Sequence, residues 1–200
     1  MSGRRAGTGP GPAAAGGAGP VTPAAGDPRA VDWRALVAEL EEQERRLRLP
    51  RFGNDDAWRL GCLIAELAQA RGAAVTIGIR RAGQLLFHRA LPGTSADNDA
   101  WLDRKCRVVD RYAAASYLVG ARFRAKGTTF EASSRLDPDR YAAHGGAFPL
   151  HIRDVGVVGT VAVSGLPQAE DHALVVEALE RFLAELPGAT GHPAPPTGAA

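Results

Sequence analysis

The chain has 200 residues, 45% of them hydrophobic and 23% charged, with a net charge of +2. Arg4, Arg5 and Arg29 against Asp27 supply that same +2 within the first thirty residues, so the remainder sums to zero and a basic nucleic-acid footprint is excluded. No apolar run approaches the ~20 residues of a bilayer span, so no membrane partner is expected.

Residues 1–29 are almost entirely small residues and proline, too poor in large apolar side chains to offset the entropy of ordering, and are expected to be a disordered tail. Arg4-Arg5 is followed by Ala-Gly-Thr-Gly-Pro rather than an apolar export segment. Cys62 and Cys106 have no second thiol at metal-ligand spacing, so free thiols and a cytoplasmic location are expected.

A folded region over 30–186 opens with a helix near 31–46, where Trp33, Leu36, Val37 and Leu40 keep helical spacing and Glu39, Glu41, Arg45 and Arg46 form the wet face. Leu47 to Leu49 alternates like a short strand ended by Pro50, which lacks a ladder donor. Asn54 is a candidate cap for a helix that runs to Gly72. Val75, Ile77 and Ile79, a turn at Arg81 to Gly83, and Leu85, Phe87 and Leu91 spell a β-hairpin.

Asn98 begins a helix carrying Trp101, Leu102, Lys105, Cys106 and Val109, and Ser116 caps another that Gly127 stops. A second hairpin joins Phe148, Leu150 and Ile152 through Asp154 to Gly156 to Val157 to Ser164. The stripe Leu174, Val175, Ala178, Leu179, Phe182 and Leu186 marks an amphipathic closing helix. Pro187 to Ala200 is a second expected disordered tail.

Two hairpins unstable alone predict one antiparallel sheet covered by helices, hence an α+β fold, with Leu47 to Leu49 at its centre or edge. Leu86, Val158 and Ala162 leave the opposite face apolar, so it calls for further helices or, preferably, a second subunit in a homo-oligomer.

The common nucleophile-elbow, phosphate-loop, dinucleotide and zinc signatures are absent. His144-Gly145-Gly146 precedes one strand of the second hairpin, and Ser164-Gly165 leaves the other, with Asp171-His172 in the closing helix. On the chemical reading His144 and His172 stand near the two ends of the hairpin, where a neutral imidazole binds haem iron or shuttles a proton, and the glycines admit a flat ligand. On the structural reading Gly145 and Gly146 make a positive-φ turn, Ser164 helps cap the closing helix and Asp171 complements its dipole. Arg104 and Lys105 either answer the dipole of their own helix or clamp a carboxylate or propionate. His88 and His151 sit mid-strand as surface or interface residues. Ser164 with His172 as a hydrolytic pair is set aside, because Gly165 and Pro167 look like a helix start.

Over residues 31–186 the chain resembles the haem-degrading-domain, GlcG/HbpS-like family, in the branch labelled an uncharacterised protein family. The resemblance rests on Leu49-Pro50-Arg51-Phe52, Asp55-Asp56-Ala57-Trp58, Gly93 to Trp101 with Arg104-Lys105, Ser116-Tyr117, Tyr141 to Gly146 with Phe148-Pro149, and Val163 to Pro167 with Asp171-His172. It implies a profilin-like antiparallel five-stranded sheet flanked by helices, closed oligomers, and the binding and slow oxidative breakdown of haem. The Gly-Gly and Ser-Gly pairs match the wider family, whereas His144 and His172 belong to this branch. The expected function is therefore a haem-binding or haem-degrading protein. His144 would be the iron ligand, Gly145, Gly146, Ser164, Gly165 and His172 would line the haem, Arg104 and Lys105 would meet its propionates, and no catalytic residue is assigned. The alternative is a non-catalytic oligomeric scaffold for a small ligand or a protein.

Overall fold

The computed structural model describes residues 31–186; both expected tails, 1–29 and 187–200, lie outside the described residues. The elements run α1 (Trp33–Arg46), α2 (Asn54–Ala70), β1 (Thr76–Arg81), β2 (Gln84–Ala90), α3 (Ala96–Tyr112), α4 (Ser116–Ala125), α5 (Phe130–Ser133), β3 (Ala147–Ile152), β4 (Gly156–Ser164) and α6 (Gln168–Glu185).

Local chemistry explains most boundaries. Asp32 starts α1 by accepting from the Arg34 and Ala35 amides at 3.0 Å. Asn98 is not the first residue of α3 but its third: Ser95 is the N-cap, and the Asn98 side chain accepts from the Ser95 amide at 2.9 Å. Ser116 is likewise not a cap but the first helical residue of α4, and its hydroxyl turns to β3, donating to His144 O and accepting from Ala147 N. The α5 turn, capped by Thr129, is too short for periodicity to reveal.

Both hairpins form and join through β1 and β4, which gives one antiparallel sheet in the order β2-β1-β4-β3. The sheet therefore has four strands among the described residues, not five. Leu49 contributes one parallel bridge to Ile152, bonded through Leu49 N to His151 O at 2.8 Å and Arg153 N to Leu49 O at 2.9 Å. The ladder stops there because Pro50 has no amide hydrogen to extend it.

Alternation along β4 sorts its side chains between two cores. Val161 and Val163 point to the main core with Ile77, Ile79, Phe148 and Leu150, where Leu60 and Ile64 of α2 and Leu174, Leu179 and Phe182 of α6 cover them. Ala162 points the other way, into a second cluster with Ala147 and with Leu102, Cys106 and Val109 of α3. Around Ala162 the second face is thus covered from within the chain by α3, whereas Leu86 and Val158 are half-buried against the main cluster. Small residues make this packing close, since a Cβ on Gly78 would already lie 3.0 Å from Leu102 Cδ2. Burial in this cluster pushes the Cys106 thiol up to about 12, so it stays protonated.

One polar contact ties the layers together. Lys105 Nζ of α3 reaches through to the start of α6, donating to Asp171 Oδ2 at 2.7 Å and to Val163 O of β4 at 3.1 Å. The side chains are 5% and 1% exposed, so neither charge is solvated and each is tolerated only because of the other. Asp171→Asn should therefore cost about 3–5 kcal/mol in urea denaturation by leaving an unpaired buried ammonium. Lys105→Met combined with Asp171→Asn should recover most of that loss, and a single variant as stable as the parent would show that the pair does not secure the fold.

Candidate functional site

A cleft opens where β3 begins and β4 ends. The two glycine-bearing segments meet there, with Val163 N donating to Gly146 O at 2.8 Å and Asn98 Nδ2 to Ser164 O at 3.4 Å. The cleft encloses about 280 Å³. One wall is α3, which presents Asp97, Trp101 and Lys105 four residues apart on one face. His144 stands beside Trp101, and Ser164, Gly165 and the first turn of α6 close the far side.

His144 is the accessible base of this cleft. Its side chain is 43% exposed, its ring packs edge-on to Trp101 at 5.3 Å between centroids, and Nε2 lies 3.8 Å from Glu131. Partial burial holds its pKa below the ordinary 6.5; Glu131 opposes the shift, while Lys105, Arg124 and Arg104 reinforce it. At neutral pH the imidazole is consequently uncharged and able to offer a lone pair.

His172 does not join it. The ring is buried on the opposite side of the α6 start, where Nε2 meets Gln43 Oε1 of α1 at 2.7 Å and Tyr117 and Phe148 pack against it. Burial alone lowers its pKa to about 4, so it is a neutral core histidine. This placement also parts it from Ser164. His172 follows Asp171 of the cleft by one residue, and that single helical step turns its side chain away from the opening.

The remaining expected site residues divide. Ser164 and Gly165 line the cleft, but Gly145 and Gly146 do not. A Cβ on Gly145 would sit 1.9 Å from Gln168 O. Gly146 has φ 118°, and a Cβ there would sit 2.4 Å from Val163 O. Protein backbone, not ligand, occupies that space. Ser164 does not cap α6: Pro167 is the N-cap, and Asp171 accepts from Leu166 N at 3.0 Å and from Gly165 N at 3.4 Å. Arg104 leaves the cleft wall to stack over Trp101 at 4.0 Å, half-buried and with Nε donating to Ala100 O at 3.4 Å. Lys105 is not a free cation for a propionate, because Asp171 already neutralises it. His88 is paired with Asp99 at 2.6 Å, while His151 Nδ1 is buried without a partner.

Trp101 and Asp97 also line the cleft, a role that the motifs alone did not assign them. Their signal was present in the four-residue steps from 97 to 101 to 105, which place them beside Lys105 once the segment is helical.

Relatives share this architecture. A UPF0303 protein of Streptomyces coelicolor is 72% identical over 149 residues, covering 74% of this chain and 94% of its own. The crystal structure of the Ybr137w protein is 33% identical with a TM-score of 0.69, covering 74% of this chain and 88% of its own. A PduOC:heme complex, 19% identical, has a TM-score of 0.55 over 64% of this chain and 93% of its own, a likeness of fold. The family model described as haem degrading protein HbpS-like matches residues 52–180. The chain therefore belongs to the HbpS-like family of haem-degrading proteins.

Proposed function

We propose that the protein binds haem at the mouth of the Trp101–His144 cleft, with His144 as the iron ligand. The observation that carries this reading is the half-exposed, uncharged imidazole of His144 set against an indole, in a chain whose family is described by haem degradation. The fold neighbour crystallised as PduOC:heme complex supports the same ligand class.

The side chains fit this ligand at its iron and at one flat surface. His144 offers a neutral nitrogen donor, and Trp101 offers an apolar edge for the macrocycle. Arg104, half-buried over Trp101, is the cation offered to a carboxylate, since Lys105 is bonded inward. Bound haem supplies the iron redox chemistry, and its breakdown draws electrons and oxygen from outside the chain. The protein's own part is to hold the ligand and to keep a proton off His144.

Hemin titration followed by the Soret band should show His144→Ala binding at least roughly tenfold more weakly. His172→Ala should leave the titration unchanged, because that ring faces α1. An unaltered Soret response in the His144 variant would remove this residue from the site.

The lowered pKa of His144 sets the pH response. Its neutral form persists as pH falls through 6.5, the ordinary histidine value, and protonation then competes with iron only at lower pH. Hemin affinity measured across a pH series should hold through that value and decline below it. A midpoint at or above it would contradict ligation by this imidazole.

A further inference from the structure

We propose that Lys105 is a nucleophilic amine that condenses with a small carbonyl compound, an aldehyde or an α-oxo acid, held in the cleft lined by Trp101, His144 and Ser164. This needs no haem and goes beyond the preceding reading. Lys105 lines the cleft although its side chain is 5% exposed, so the amine meets the outside only through that cavity. An ammonium has three N–H donors. Asp171 Oδ2 and Val163 O take two, and no other described residue accepts the third.

The choice of residue matters. Lysine and arginine total 24, yet Lys105 and Lys126 are the only lysines. Elsewhere among the described residues the non-histidine ion pairs use arginine, as in Arg51 with Asp56, Arg71 with Glu177 and Arg80 with Asp103. Arginine makes the better static pair and cannot give up its proton, whereas a buried lysine can become a neutral amine. Burial here drives Lys105 down and Asp171 up, which brings the ammonium and carboxylate closer to the neutral amine and acid.

The reaction balances within this pair. The Lys105 ammonium passes a proton to the Asp171 carboxylate, and the nitrogen lone pair attacks the carbonyl carbon. Two protons, the one on Asp171 and one released from nitrogen, convert the carbonyl oxygen to water, which leaves. The product is an iminium whose positive charge replaces that of the ammonium beside the regenerated Asp171 carboxylate. A cleft of about 280 Å³ limits the partner to a small molecule.

Lys126, exposed at the end of α4, is a built-in control. The purified haem-free chain should be incubated at neutral pH with pyruvate or, separately, propanal, then reduced with cyanoborohydride and mapped by peptide mass spectrometry. The reduced adduct should accumulate at Lys105 at least roughly tenfold faster than at Lys126. Selective labelling by pyruvate alone assigns an α-oxo acid, and by propanal alone an aldehyde. Equal rates at the two lysines, or labelling confined to Lys126, would overturn the proposal, and neither result bears on hemin binding. Lys105→Arg checks the mass assignment by abolishing that adduct alone, while the parent chain decides the outcome even if this variant folds poorly.

Discussion

The buried contact between Lys105 and Asp171 is the constraint on which the rest of the structure turns. An ammonium and a carboxylate withdrawn from water are each costly, and only their proximity and added hydrogen bonds offset that cost. The demand joins three layers at one point: α3 supplies the cation, β4 a carbonyl and α6 the anion. Asp171 also takes the amides of Gly165 and Leu166, so the turn leaving β4 is held by the carboxylate that neutralises Lys105. The ion pair fixes the floor of the cleft and, with the apolar cluster of Leu102, Cys106 and Val109, holds α3 across the sheet.

The same arrangement gives two histidines opposite characters. His144 lies on an irregular segment where Ser116 anchors the neighbouring backbone, and its ring is left beside Trp101 at the opening. His172 lies on α6, one residue beyond Asp171, and that small step rotates it toward Gln43 and Tyr117. Both are uncharged at neutral pH through burial. Accessibility, rather than protonation state, therefore separates a candidate iron donor from a packing residue.

The glycines near these histidines serve the approach of backbone to backbone. Gly145 admits Gln168 O, Gly146 admits Val163 O, and Gly165 admits Ala74 O, where a Cβ would be 2.1 Å away. Close approach at three consecutive joints draws the loop before β3, the end of β4 and the start of α6 into one corner. That corner is the geometric basis of the cleft.

The amino-acid sequence by itself determined the two hairpins, the helical stripes and the family, because periodicity, turn residues and short motifs act between neighbours in the chain. The start of α3 differs from the expected Asn98 because that side chain bonds back to the Ser95 amide, and Ser116 is no cap because its hydroxyl serves a strand start 31 residues on. Pro50, by contrast, was legible as a strand end from its missing amide hydrogen. Tertiary structure alone decided that α3 covers the second face around Ala162, that His172 turns away from His144, and that Lys105 is neutralised by a carboxylate 66 residues distant. Those outcomes depend on the β1–β4 register and on which helix face meets the sheet. Both are set by the packing of segments remote in sequence, and no local pattern encodes them.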